Sequence, residues 1–484
     1  MMNQLRILIL SFLLLLSPLL CTQLSAAEKL SPLAIYARCY SQITNQRIEL
    51  SSPLTLQVVT GSVSPIQACL QVFNKALFLN NESTIANTAD AESISVVRTL
   101  HNLHSSWFTA KDFTDIDAGA PFWTDGSRDL WDTSTPALYL TKALFEPTPN
   151  FSSILSGQKI LIPVRTMMNP VSGAQTNLAI SSYLIKSATA QPLQFAPRGV
   201  LVGVTQTSPA MVNYPAVSDT IMVGGLVKHN QAGSVALYGS MGGGLLGNYT
   251  YSLLNINQNN EFIANGGLVM PRKWGRSVYR DLFCRELPVV RIADAVPFVA
   301  PASDVAFRTS TGCVQCHASM DRISSVVRSA RFASIGSDSK VSSSRGATFI
   351  NFPNPTLPAE QVWPVTADPD YAKRPPSGTL YFRNYQGELI DANVSGVSEL
   401  ATKILDQDDL YICVAKRYYE YFTGVSIFNG DITDPRNPKP DAAAMTHRNY
   451  VIQLGKTLRQ HNNLRLLITD ILNSGQYQKS DGSF

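Results

Sequence analysis

Cys313-Val314-Gln315-Cys316-His317 has the form of a c-type haem attachment site. Two thiols at that spacing can add across the two vinyl groups of one haem, and the next residue brings an imidazole beneath the iron. The competing readings are a reducible cysteine pair and half of a zinc site. Zinc needs two further ligands at sensible spacing, and the neighbouring sequence has no second Cys pair or His pair. The stretch therefore predicts one covalent haem c bound through Cys313 and Cys316, with His317 as the proximal iron ligand.

Attachment of that kind needs an oxidising compartment, so the N-terminus matters. Arg6 precedes an apolar run from Ile7 to Leu16, too short for a comfortable membrane span, and Ser25-Ala26-Ala27 offers a cleavage site. The expectation is a signal peptide over 1–27 and a periplasmic mature chain with no transmembrane segment. Cys21 leaves a lipoprotein alternative, although Leu20 is large where lipid attachment wants a small residue. Charge is nearly balanced, with a formal net charge of +4 and no basic stripe, which argues against a nucleic-acid partner. Of the seven cysteines, Cys39, Cys69, Cys284 and Cys413 remain once the leader and the haem pair are set aside. An even remainder in an exported chain suggests two disulfides. Cys39–Cys69 is the first choice and Cys284–Cys413 follows; four buried free thiols are the alternative.

The fold class read from these patterns is mainly α with a β-containing middle region, a helical cytochrome c-like module and a helical C-terminus. The expected organisation is a mostly helical segment over 28–165, a β-containing region over 166–275, the haem-attachment segment over 276–335, a loop over 336–376 and a helical domain over 377–484. Helices are expected from Leu33, after Ser64-Pro65, over 93–108, from Pro136 to Phe145 and from Arg272 to Leu282. Val200–Val204 and Asn248–Ser252 read as strands, and Gly242-Gly243-Gly244 as a flexible loop. Past His317, Met320, Ile323, Val327 and Ala330 fall on one helical face. Farther on, Ser398–Leu405 is a helix, and Asp406 or Asp408 is placed to cap another that stops at Gly424. His101 and His104, one turn apart without an obvious third ligand, read as surface or satisfied histidines rather than a metal pair.

The segment Cys313-Val314-Gln315-Cys316-His317-Ala318-Ser319-Met320-Asp321 resembles the start of the haem helix in planctomycete-type single-haem cytochrome proteins, which are built from linked domains of unknown function. Tyr385 to Asp391, the Cys413-bearing helix closing on Gly424 and the final Ile468–Ser474 stretch are similar to that family's downstream elements. The likeness covers roughly residues 270 to 475. It departs after Asp321, where Arg322-Ile323-Ser324-Ser325 replaces the family's Pro-Leu-Gly-Phe. The resemblance implies a haem and an exported location.

The distal ligand separates electron transfer from catalysis, because a Met thioether favours a carrier and an open position favours peroxide chemistry. Met270, before Pro271 in a Gly-rich loop, is the first candidate. Met445, His447 and His461 are the others, with Met445 and His447 read as loop residues. Arg308, Arg322 and Arg328 are candidate propionate partners or solvent-facing residues. The functional expectation is a periplasmic electron carrier whose redox partner protein the sequence does not name. The alternatives are a single-haem peroxidase-like or other redox enzyme, and a non-catalytic carbohydrate or protein interaction module.

Overall fold

Three Ser-Pro steps start the first three helices, α1 (Pro32–Thr44), α2 (Pro53–Val59) and α3 (Pro65–Lys75). Ser31, Ser52 and Ser64 each accept a backbone N–H three residues on, at 3.2 Å. Proline follows in the first turn, where its missing N–H costs nothing. The α2 helix escapes the periodicity reading, yet Ser52-Pro53 carries the same signal as Ser64-Pro65. The computed structural model describes residues 28–76, 90–108, 135–156, 241–248, 251, 252, 255, 272–328 and 374–483, a few positions between 357 and 371, and the strand backbones between 159 and 351. The expected signal peptide and Met270 lie outside the described residues.

The described chain is mainly helical. After α1–α3 come α4 (Ala91–Trp107), α5 (Thr135–Phe145), α6 (Arg272–Phe283), α7 (Ile292–Ala295), α8 (Thr311–Ser324), α9 (Val397–Leu405), α10 (Asp408–Thr423), α11 (Ala442–His461) and α12 (Leu464–Asn473). The expected middle β region contains antiparallel pairs. Strand β1 (Lys159–Val164) pairs with β4 (Val200–Thr205), β2 (Thr166–Met168) with β3 (Gln175–Asn177), and β6 (Thr220–Met222) with β7 (Leu226–Lys228). A four-stranded antiparallel sheet runs in the order β5 (Ala210–Tyr214), β8 (Gly233–Tyr238), β10 (Gly346–Asn351), β9 (Ala330–Ile335). A separate hairpin, β11 (Gly378–Arg383) with β12 (Leu389–Val394), turns at Gly387 with φ +84°.

Several expectations are corrected. Ala330 does not continue the helix that carries the CxxCH motif, which ends at Ser324 and passes through one 3₁₀ turn before β9. Part of the expected 336–376 loop is strand β10, and the expected helical domain opens with the β11–β12 hairpin. Tyr251 and Ser252 are helical rather than strand: Ser252 N–H donates to the Asn248 carbonyl at 3.0 Å, an i to i+4 closure. Nor is the triple glycine a flexible loop. Gly242, Gly243 and Gly244 all have positive φ, and a Cβ on Gly244 would lie 2.3 Å from the Ile154 carbonyl oxygen, so the turn is packed against its neighbour. The α10 N-cap is Gln407, whose side chain makes no capping hydrogen bond and donates instead to the Lys403 carbonyl at 3.2 Å. Asp408 lies in the first turn, and Asp409 is buried in an ion pair with Arg285.

One hydrophobic core runs from the N-terminal helices to the C-terminal ones. Helix α10 lies at its centre, with Leu410, Ile412, Ala415, Tyr418, Tyr419 and Phe422 all at 0% exposure. At about 1.5–3 kcal/mol for each large apolar side chain, this helix alone anchors much of the bundle. Helix α11 crosses it closely at Gly455, where a Cβ would stand 2.7 Å from the Ile412 backbone. Arg38 of α1 donates to the carbonyls of Phe422 and Tyr477, tying the first helix to the chain's last segments. Cys39 is bonded to Cys69 and Cys284 to Cys413, with Cα separations of 6.1 and 5.3 Å. Both expected pairings are therefore present. A second, smaller core of Val290, Ala295, Val305, Phe307, Val314, Ala318, Trp363, Tyr371 and Tyr381 forms around α8.

Candidate functional site

Helix α8 divides its residues between two faces. Val314, Ala318 and Asp321 recur at i, i+4 and i+7 and are buried, with Gln315 beside them donating to the Val290 carbonyl at 2.9 Å. Cys313, Cys316, His317 and Met320 recur at i, i+3, i+4 and i+7 on the outer face, where Cys313 is exposed and the other three are half-buried. The helical period thus sets both thiols and the imidazole on one strip. Gly312, just before them, has nothing within 4 Å of where a Cβ would stand. Cys313 and Cys316 are free thiols, whereas the other four described cysteines are paired. Burial, reinforced by Cys313, pushes the Cys316 thiol above the usual thiol range.

Below this strip, the His317 ring is held on an edge and a face. Its Nδ1 lies 2.8 Å from the Asp321 carboxylate, one turn along the helix. A carboxylate accepts and does not donate, so Nδ1 carries a proton, and in the neutral ring Nε2 keeps its lone pair. Nε2 has no hydrogen bond to any described residue. Asp321 is itself fully buried and receives Arg272 Nε at 2.9 Å and Nη2 at 3.3 Å. Phe307 stacks on the imidazole with centroids 4.5 Å apart and an 18° interplanar angle. The Arg272 guanidinium covers the Phe307 ring at 4.7 Å. A crossing too close for any side chain fixes this arrangement: a Cβ on Gly275 of α6 would stand 2.2 Å from Ser324 Oγ and 2.4 Å from the Met320 carbonyl oxygen. On the other side Gly378 of β11 packs on α8 in the same way, 2.5 Å from the Arg322 carbonyl oxygen.

The remaining candidates are placed elsewhere or are otherwise engaged. Arg308 is buried, donates to the carbonyls of Phe298 and Trp363, and stacks over Trp363 at 4.0 Å. Arg322 lies over Tyr381 at 4.4 Å and pairs with Asp391 at 3.1 Å. Arg328 is buried and bonds the Pro375 carbonyl and Ser377. Arg308 and Arg328 are buried and do not face solvent, whereas Arg322 is half-buried and its pair with Asp391 is exposed. Met445 and His447 are not loop residues but occupy the first two turns of α11. His447 is buried with Nδ1 2.7 Å from the Tyr419 hydroxyl, and His461 accepts the Asn463 N–H at 3.0 Å.

His101 and His104 are satisfied histidines, but neither is on the surface. Both present Nδ1 to Thr141 Oγ1, at 3.0 and 2.9 Å, and His104 Nε2 meets the Tyr418 hydroxyl at 2.7 Å. Among the described residues, no group of three or more His, Cys, Asp or Glu is placed to bind a bare metal ion. No helix among them is long and apolar enough to cross a membrane.

The donor set on α8 fits a covalently attached haem: two unpaired thiols lie beside an imidazole whose tautomer leaves Nε2 free for a metal. Sequence reasoning quoted Asp321 as the end of the CxxCH segment but gave it no role, and it missed Arg272 as a site residue. The signal for Asp321 was its i+4 spacing from His317 on one helix; Arg272, 49 residues upstream, carried none. Compared with family models, with curated proteins and with solved structures, the chain matches none of them.

Proposed function

We propose that this chain is an exported c-type cytochrome that carries one covalent haem and moves single electrons in the periplasm. Cys313 and Cys316 supply the two thioether links, and His317 Nε2 is the proximal ligand. The bound haem supplies one-electron redox chemistry. One observation carries the reading: both unpaired thiols and an imidazole with a free Nε2 share the outer strip of α8. Two disulfides in the same chain agree with an oxidising compartment. The likeness of residues 313–321 to planctomycete-type single-haem proteins supports the same reading, and Met270 is proposed as the distal ligand from its sequence context alone.

A second reading, a single-haem peroxidase-like site, is favoured by the Asp321 contact, since a carboxylate on Nδ1 makes the imidazole a stronger donor. The test of the main proposal is expression with cytochrome c maturation, followed by haem staining after denaturing electrophoresis. Wild-type protein should stain, and Cys316→Ser should weaken or lose the stain. A wild-type band without stain would overturn the proposal. The absorption spectrum then separates the two readings: a low-spin reduced form with a Met–iron band marks the carrier, and a high-spin ferric form that reacts with peroxide marks the enzyme.

A further inference from the structure

We infer that Asp321 and Arg272 form a positioning pair that sets the donor strength of His317, with opposite effects on the haem potential. The inference rests on the haem reading above. Asp321 holds the Nδ1 proton at 2.8 Å, which fixes the ring's rotation and tautomer and feeds negative charge toward Nε2. A stronger imidazole donor favours ferric over ferrous iron. Arg272 works against this, because its two N–H groups share the same carboxylate and its cation lies 4.7 Å from the centroid of Phe307, the ring stacked on the imidazole. The close crossing at Gly275 brings α6, which carries Arg272, against α8, which carries Asp321. Asp321 is fully buried and Arg272 mostly so, which limits solvent screening of the interaction.

The sign of each change follows. Asp321→Asn keeps the shape and removes the negative charge, so His317 becomes a weaker donor and the midpoint potential rises. Arg272→Gln leaves the carboxylate to His317 alone and removes a nearby cation, so the potential falls. A tenfold change in the ferric-to-ferrous preference corresponds to about 59 mV for one electron, and shifts of at least that size are expected in each direction. Disturbed packing, by contrast, would move both variants the same way, because opening either one lets water toward the site.

The experiment is a redox titration of wild-type, Asp321→Asn and Arg272→Gln proteins, each matured with haem and checked by haem stain and far-ultraviolet circular dichroism. Opposite shifts support the pair. Stained variants that shift together, or not at all, overturn it while leaving the haem reading intact. Unstained wild-type protein removes the haem reading itself and the inference with it. Should Asp321→Asn fail to fold, Arg272→Lys, which keeps the cation, is titrated beside Arg272→Gln: a fall in Arg272→Gln that Arg272→Lys restores supports the pair, and a fall shared by both, or a rise or no change in Arg272→Gln, overturns it.

Discussion

His104 and His317 carry their protons on the same nitrogen, yet one ring is closed and the other open. At His104 the Thr141 hydroxyl gives its own proton to the Ala137 carbonyl at 3.0 Å, so it must accept from Nδ1 at 2.9 Å. The Nε2 lone pair is then taken by Tyr418 at 2.7 Å, with Trp107 edge-on against both rings. At His317 the Asp321 carboxylate takes the Nδ1 proton, and no described residue takes the Nε2 lone pair. Accounting for every polar atom therefore tells a histidine that builds the core from one that is available to a ligand.

The comparison is tested hardest where α6 meets α8. Gly275→Ala places a Cβ 2.4 Å from a backbone carbonyl oxygen that cannot swing aside. Overpacking of this kind costs about 1–3 kcal/mol, and the contact argues for the upper end. Alanine's better helix propensity returns about 1 kcal/mol. A net loss of about 2 kcal/mol is expected in urea unfolding, and because the helices must separate, Arg272 should also withdraw from Asp321. If Gly275→Ala is as stable as wild type, the crossing does not brace His317. The next effect in size is at the closed histidine. Tyr418→Phe leaves the buried Nε2 of His104 without a donor, a penalty of about 1–2 kcal/mol. It should leave the haem stain unchanged, since Tyr418 belongs to the other core. A variant of wild-type stability would show that His104 finds another partner.

How much of this was legible beforehand depends on how local the physics is. The CxxCH strip and the Ser-Pro helix starts are written in adjacent residues, so they could be read directly. The two disulfides followed from parity, since six cysteines after the leader leave four once the haem pair is assigned. Asn248–Ser252 misled because Tyr249 and Tyr251 alternate as in a strand, whereas the packed glycine turn before them leads into a helical closure. Arg308, Arg322 and Arg328 resembled anion partners only because aromatic stacking and distant carbonyls leave no trace in sequence. His101 and His104 have the spacing of a ligand pair, and the atoms that decide otherwise, on Thr141 and Tyr418, lie 37 to 314 residues away. Asp321 is the intermediate case, local enough to be seen but ambiguous until Arg272 was placed beside it.

The smallest expected effect concerns pH and again turns on the closed ring. Burial, with His101 adding to it, holds His104 well below the usual imidazole range, so in the folded protein it stays neutral. In the unfolded chain the same group protonates near pH 6.5. A folded pKa below the unfolded one means that the stabilising contribution is complete above pH 6.5 and is lost as the pH falls from there. Integrating one such proton predicts a loss of about 0.7 kcal/mol between pH 7 and pH 6. Tyr418 and Thr141, the groups hydrogen-bonded to the ring, do not change charge in that window, and His101, which shares Thr141, is present in both proteins compared. His104→Gln, which cannot protonate, should therefore flatten this part of the stability profile, whatever its own cost at pH 7. Urea midpoints of the two proteins at pH 7, 6.5 and 6 would measure it, and parallel profiles would mean that His104 takes up its proton without unfolding.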